Sequence, residues 1–259
     1  MAEQRGLLLR PDWELPAGVQ AFVTIRHGGC SVAPWDTCNL ALHVGDDPDH
    51  VACNRQLLDT ALVQATAAPA PALQWLEQVH GTTVFKATTA QPVPAPQADA
   101  AYTRVAGLAL AVLTADCLPV LLCSTDGAEI AVAHAGWRGL CAGVLEASLA
   151  CFDAPPAALG AWLGPALGAC HFEVGAEVRE AFLAAAPAAL ETATADCFQP
   201  GAPGKWWGNL YQLATLRLQA CGVSRIAGSV QCTWCHHQRF YSYRRQPQTG
   251  RFASLIFRC

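Results

Sequence analysis

The chain has 259 residues, 53% of them hydrophobic and only 14% charged, which excludes a disordered or fibrous protein and provides for a large core. Lys and Arg number 16 against 20 Asp and Glu, a net charge of −4, so no basic excess points to nucleic acid as a partner. The opening MAEQRGLLLRPDW has no apolar stretch of signal-peptide length, and no run of roughly 18 apolar residues occurs anywhere, so the expectation is a soluble, cytoplasmic protein with no membrane partner.

VQAFVTIR (19–26) reads as a strand. The segment from His27 to His50 is rich in turn residues and long for a connection in a compact domain, which makes it a candidate functional loop. Asp47-Pro48-Asp49 caps a helix over about 50–64. LQWLEQVHGTTVFKA reads as strand–turn–strand with Gly81 at the turn, and ATTAQPVPAPQADA (87–100) as a Pro/Ala-rich surface loop. GLALAVLTADC, LPVLLCS and EIAVAHA are apolar, β-branched runs of the kind found in strands buried on both faces. A helix over 139–151 is stopped by Pro155-Pro156, and LGAWLG is a short strand. FEVGAEVREAFLAAA has apolar residues at helical spacing, as does NLYQLATLRLQACG, closed by Gly222. RIAGSVQCT and ASLIF are the last strands. No linker and no repeat divides the chain, so we expect one domain over 1–259: α/β, with a mixed sheet flanked by helices.

Thirteen cysteines, an odd number, sit mostly alone in apolar runs (Cys123, Cys141, Cys151, Cys170), the pattern of reduced, buried thiols rather than disulfides. Three residues at the edges of apolar runs differ. His80 in WLEQVHG, Cys117 in LTADCLPVLL and His134 in AVAHAGWRG offer one thiol and two imidazoles, the ligand set of a catalytic zinc site with its fourth position open. The same residues admit a metal-free reading, with Cys117 as nucleophile, His134 as its base and Asp116 or a carbonyl orienting the imidazole. CTWCHH (232–237) matches a haem-attachment pattern without an export signal to accompany it, and a zinc ribbon would need a second Cys pair that the sequence lacks. Cys232 is placed at a pocket edge and Cys235 is incidental on this reading. Arg138, Arg244, Arg245 and Arg251 lie near glycines and aromatics, a setting for phosphate or carboxylate; Arg26, Asn39 and His43 belong to the long early loop and are candidate pocket residues.

Taken together, TIRHGGCS, NLALHVGDDP, WLEQVHGTTV, ADAAYT, GLALAVLTADCLPVLL, AVAHAGWRGLCAGVLE, LGPALGACHFEVGAEV and CTWC with FYSYRRQPQTGRFASLI resemble the YfiH-type or laccase-domain family, in that family's order and over about residues 20–257. The resemblance implies a metal site at His80, Cys117 and His134, an α/β fold shared with toxin deamidases that use a Cys–His pair, and a pocket that includes Arg26, Asn39 and Cys232. Departures are small: Asn209-Leu210 stands where the family usually has Asp-Leu, and Asn caps a helix as well as Asp does; Trp234 stands where Tyr is frequent. The activities the resemblance implies differ in class. One is zinc-dependent phosphorolysis of adenosine, inosine and 5′-methylthioadenosine with deamination of adenosine, with a nucleoside and phosphate as partners; the arginines singled out above, Arg244 and Arg245 among them, are the candidates for binding substrate there. Another is removal of L-serine from a UDP-muramyl precursor. The third is copper-dependent oxidation of phenols, which needs more imidazoles than eight histidines in one Cys–His₂ arrangement supply. A monomer is expected.

Overall fold

Alternate residues of the central strands face opposite ways, and both directions are apolar. In Leu108–Thr114, residues Leu108, Leu110 and Val112 enter one core cluster while Ala109, Ala111 and Leu113 enter another. A strand buried on both faces must lie inside a layered structure. The structure, a computed structural model, describes residues 6–91, 94–228 and 230–259. Along the chain these form β1 (Leu8–Leu9), β2 (Val19–Thr24), α1 (Pro48–Thr66), β3 (Ala72–Gln74), β4 (Val84–Lys86), β5 (Ala100–Thr103), β6 (Leu108–Thr114), β7 (Leu118–Ser124) and β8 (Ile130–Ala135). Then follow α2 (Trp137–Ala142), α3 (Val144–Leu149), β9 (Leu159–Leu163), β10 (Glu173–Gly175), α4 (Ala176–Ala185), α5 (Glu191–Asp196), β11 (Phe198–Pro200), β12 (Lys205–Gly208), α6 (Leu210–Ala220), β13 (Arg225–Ala227) and β14 (Phe252–Arg258).

The expected α/β class holds, with the strands distributed over three sheets. A five-stranded sheet has the order β1-β2-β14-β6-β3, a six-stranded sheet the order β13-β9-β7-β8-β5-β4, and β10-β12-β11 form a small third sheet. Both large sheets are mixed: β3 runs parallel to β6, β4 to β5 and β13 to β9, and the remaining pairs are antiparallel. The two large sheets stack face to face over a core that includes Val23, Leu110, Val112, Leu121, Val132 and Ile256. Helix α1 covers the outer face of the first sheet through Leu58 and Leu62, and α3, α4 and α6 cover the second through Leu145, Phe182 and Leu218. Each such apolar side chain contributes about 1.5–3 kcal/mol on burial.

Several elements differ from the sequence reading. LQWLEQVHGTTVFKA is no hairpin, because β3 belongs to the first sheet and β4 to the second. The segment 87–100 is surface loop only in its middle: Ala87, Ala98 and Asp99 are buried and Ala100 opens β5, while Pro92 and Val93 lie outside the described residues. The helix over 139–151 is two helices, α2 and α3, broken at Gly143 with φ 103°. FEVG pairs with β12 as β10, so the helix there starts only at Ala176. The strand in RIAGSVQCT is confined to Arg225–Ala227, and Ser229 lies outside the described residues. Asn209 caps α6 as expected, accepting from Gln212 N–H at 3.1 Å, and Asp47 caps α1 with Pro48 at its first position. The expectation of reduced, buried thiols holds for Cys123 and is corrected elsewhere: Cys30 and Cys53 form a disulfide, Cys141 and Cys151 are half-buried, and Cys170 is exposed. Cys53 is carried by α1 beside the loop that holds Cys30, and the Cys30 N–H donates to the Asn54 side chain at 2.7 Å.

Candidate metal centre

The chain crosses from the first sheet to the second twice, between β3 and β4 and between β6 and β7. The first crossing carries His80 and the second carries Cys117. His134 lies in β8, where it stands opposite Pro119 of β7. The three side chains converge: their ligand atoms lie within 4.8 Å of one another, with His80 Nε2 at 3.8 Å from Cys117 Sγ. The rings of His80 and His134 meet edge to face, centroids 4.8 Å apart. His134 is buried, Cys117 half-buried and His80 exposed, so the group opens toward solvent on the His80 side.

A buried carboxylate that the sequence reading missed organises this site. Asp99 Oδ1 pairs with His134 Nδ1 at 2.8 Å and accepts from the His80 N–H at 2.9 Å, while Oδ2 accepts from Gly81 N–H at 2.6 Å and Val79 N–H at 3.2 Å. These three backbone bonds hold His80 at φ 62°, a conformation that costs a non-glycine residue about 1–3 kcal/mol. The bond to Nδ1 fixes the tautomer of His134 and leaves Nε2 for the site, the outer-shell arrangement that orients metal-bound imidazoles. Burial raises the Asp99 carboxyl, but its bonds to His134, Gly81 and His80 outweigh this and hold it below the usual range. The signal in the sequence was an acidic residue directly before the apolar run AAYT.

Asp116 does not orient the imidazole. Its carboxylate accepts from Thr233 Oγ at 2.5 Å and from Arg244 N–H at 2.6 Å, with φ 94°, and so anchors the turn that presents Cys117. Burial pushes the Cys117 thiol up, yet the His134 and His80 imidazoles bring it down to about 6. Two glycines of HAGWRG permit the close approach. A Cβ on Gly136 would stand 3.0 Å from both Cys117 Sγ and His80 Cδ2, and one on Gly139 would stand 2.8 Å from the Gly81 carbonyl.

The remaining expected pocket residues divide. Burial pulls the half-buried Arg251 guanidinium below its ordinary range against the negative charges of Cys117 and Asp116, and its Nη1 donates to the Thr249 and Gly250 carbonyls. His43, on the turn Leu42–Val44, is held below its ordinary range by partial burial and by the positive charges of Arg251, Arg55 and His134. Arg26 spends its donors on Asp36 and on the His237 carbonyl and lies over the Tyr241 ring. Asn39 is saturated: it donates to Ala41 O and Asp46, and it accepts from the Ala41 and Arg251 N–H groups. Arg244 is exposed and donates to the His171 and Glu173 carbonyls; Arg245 reaches over Trp234, and Arg138 lies over Trp137. Cys232 joins Cys170, His171 and Cys235 in a group of its own. A cleft of about 530 Å³ lined by Trp13, Cys123 and Arg225 lies at the opposite end of β7 from Cys117.

Residues 20–259 match the family model described as multi-copper polyphenol oxidoreductase laccase. The chain belongs to this family. Within the laccase-like family it is 48% identical over 250 residues to the Escherichia coli purine nucleoside phosphorylase YfiH, covering 96% of this chain and 98% of that protein. It is likewise 48% identical to a purine nucleoside phosphorylase of Pseudomonas aeruginosa, at 96% and 97% coverage. Among solved structures, a Neisseria meningitidis protein superposes with a TM-score of 0.89 at 41% identity, covering 97% of this chain and 99% of that one. YlmD from Geobacillus stearothermophilus superposes with a TM-score of 0.86 at 31% identity. No described helix is long and apolar enough to cross a membrane.

Proposed function

We propose that this protein is a cytoplasmic, monomeric, zinc-dependent purine nucleoside phosphorylase that cleaves adenosine, inosine and 5′-methylthioadenosine and also deaminates adenosine. The observation that carries the reading is the convergence of His80, Cys117 and His134 with one side open, joined to relatives that bear the phosphorylase name. The donor set fits the metal: one thiol drawn toward the thiolate and two imidazoles, one of them oriented by a buried carboxylate, suit zinc and leave a position for a reactant. Copper accepts the same donors and is the alternative the family description suggests. When bound, zinc supplies Lewis acidity at the open face. The chain's own residues do the rest. Asp99 fixes the direction of His134, and Gly136 keeps the approach to Cys117 clear. Arg251 is a cation within electrostatic reach of Cys117, with Nη1 committed to backbone carbonyls, and its remaining donors suit a phosphate oxygen pair.

The depressed Cys117 thiol supports a second reading, in which the thiolate attacks the amide carbonyl of a UDP-muramyl precursor, L-serine leaves as its amine with a proton from a neighbouring imidazolium, and water then hydrolyses the thioester to the muramyl carboxylate and free thiolate. One experiment separates the two. Metal-assayed protein is incubated with adenosine, with and without phosphate, and the products are resolved chromatographically. Phosphate-dependent adenine together with inosine, both lost in Cys117→Ser, is the expected result. Full activity of a verified metal-free Cys117→Ser protein sinks the zinc reading, and absence of product from zinc-replete protein transfers the assignment to the muramyl precursor.

A further inference from the structure

We infer that Cys170, His171, Cys232 and Cys235 hold a second metal ion, a zinc in a closed four-coordinate site separate from His80, Cys117 and His134. CTWC by itself lacks the second cysteine pair of a zinc ribbon. The fold supplies the missing half from a place where no pair exists, the adjacent Cys170-His171 of the loop after β9.

Four of five donor separations match the edges of a coordination tetrahedron, and the fifth, between the adjacent Cys170 and His171, is shorter. Ligands at about 2.3 Å for sulfur and 2.0–2.1 Å for nitrogen stand at tetrahedral edges of about 3.8 Å between sulfurs and about 3.5 Å between sulfur and nitrogen. Cys170 Sγ lies 3.9 Å from Cys232 Sγ and 3.9 Å from Cys235 Sγ. His171 Nδ1 lies 3.1, 3.6 and 3.5 Å from the sulfurs of Cys170, Cys232 and Cys235. Four donors occupy all four positions, the mark of a structural site, and three thiolates with one imidazole select a soft ion.

The surroundings order the donors. The His171 ring is stacked on Trp234, centroids 4.9 Å apart, which fixes its plane. Three thiolates and a divalent ion leave one net negative charge, and Arg244 and Arg245 flank it, the first through the His171 carbonyl and the second over Trp234. The two halves are already in register: Ala166 bridges Cys232, and Thr233 N–H donates to the Ala166 carbonyl at 3.0 Å. Gly168 allows the contact, since a Cβ there would stand 3.0 Å from Cys232 Cβ.

The ion would cross-link the loop after β9 to the turn that begins at Cys232. That turn carries Thr233, whose hydroxyl holds Asp116 next to Cys117. The second metal thus braces the turn that presents a ligand of the first.

The test is metal stoichiometry on the full chain, purified with reductant and without chelator. Wild type is expected to hold two equivalents of zinc per chain; Cys170→Ser combined with Cys235→Ser holds one, and Cys117→Ser holds one. A measurement on the unaltered protein covers the case in which the double variant does not fold. Iodoacetamide is added to native wild type before and after treatment with a strong chelator, and the modified peptides are mapped. Cys170, Cys232 and Cys235 are expected to be protected until the chelator is added, while the exposed Cys259 reacts throughout. One equivalent in wild type that Cys117→Ser removes, three thiols that react without chelator as fast as Cys259, or a disulfide among them in freshly purified protein each overturns the inference.

Discussion

Replacing Asp99 by Asn changes one atom and tests how the first site is built. The carboxylate accepts four hydrogen bonds, two on each oxygen. An amide has one accepting oxygen. If its NH₂ takes the Oδ2 position, it faces the Val79 and Gly81 N–H groups, and two part-buried donors lose their acceptor. If it takes the Oδ1 position, it faces the His80 N–H and can bond His134 Nδ1 only when that nitrogen is deprotonated. The ring proton then sits on Nε2, the nitrogen that the site needs free. An unsatisfied buried donor costs about 1–3 kcal/mol and these part-buried ones sit at the low end, so Asp99→Asn is expected to destabilise the fold by about 2 kcal/mol. Loss of an outer-shell partner weakens metal binding about 10–100-fold, or about 1.4–2.8 kcal/mol. Affinity is read by competition with a chromophoric chelator and stability by urea unfolding of the metal-free protein. An Asp99→Asn protein with wild-type affinity and an unchanged unfolding midpoint refutes the assignment of Asp99 as the group that orients His134 and holds the His80 turn.

Gly136→Ala puts a methyl 3.0 Å from Cys117 Sγ and His80 Cδ2, and is expected to lower zinc affinity about tenfold or more while circular dichroism stays native, because the backbone there, φ −58° and ψ 156°, suits alanine. Arg251→Gln is expected to raise the KM for phosphate at least about tenfold with a much smaller change in the KM for nucleoside, checked by varying each substrate against a saturating partner. Glu129 is buried and accepts from Tyr102 O–H at 2.5 Å and from the Asp153 and Ala154 N–H groups; burial raises its carboxyl, but these bonds hold it below the ordinary range. Its stabilisation is therefore complete above the unfolded value of about 4.3 and fades as pH falls through the lower folded value, so Glu129→Gln is expected to cost about 1–3 kcal/mol at pH 7 and progressively less below pH ~4 in denaturant titrations.

The three converging ligands were legible because each sits where an apolar run ends beside a glycine or a carboxylate, a local feature. Asp99 was not, since it lies among Pro and Ala residues whose composition reads as loop, and its burial is decided by β5 and β8 packing around it. The Cys170-His171 half of the second cluster carries no spacing rule; only the parallel bridge at Ala166 and Cys232 brings it to Cys235. The break between α2 and α3 hinges on one backbone angle at Gly143, and β10 exists because β12 pairs with it, against a helical spacing that continues through 173–175. Long buried strands such as β6, β7 and β8 were visible because burial on both faces leaves an unbroken apolar signature.

Strand β14 lies between β2 and β6, its neighbours in the first sheet, and follows β6 in the chain only after the whole second sheet has been made. Until residues 252–258 leave the ribosome, β2 and β6 present two unpaired hydrophobic edges about one strand apart, a standing invitation to pair with another nascent chain. The second sheet has no such gap among its long strands, since β7, β8 and β9 are made in close succession. Synthesis at high rate should therefore yield aggregates held through the first sheet, and a chaperone that shields those edges should raise the yield of folded protein more than one that acts on helices.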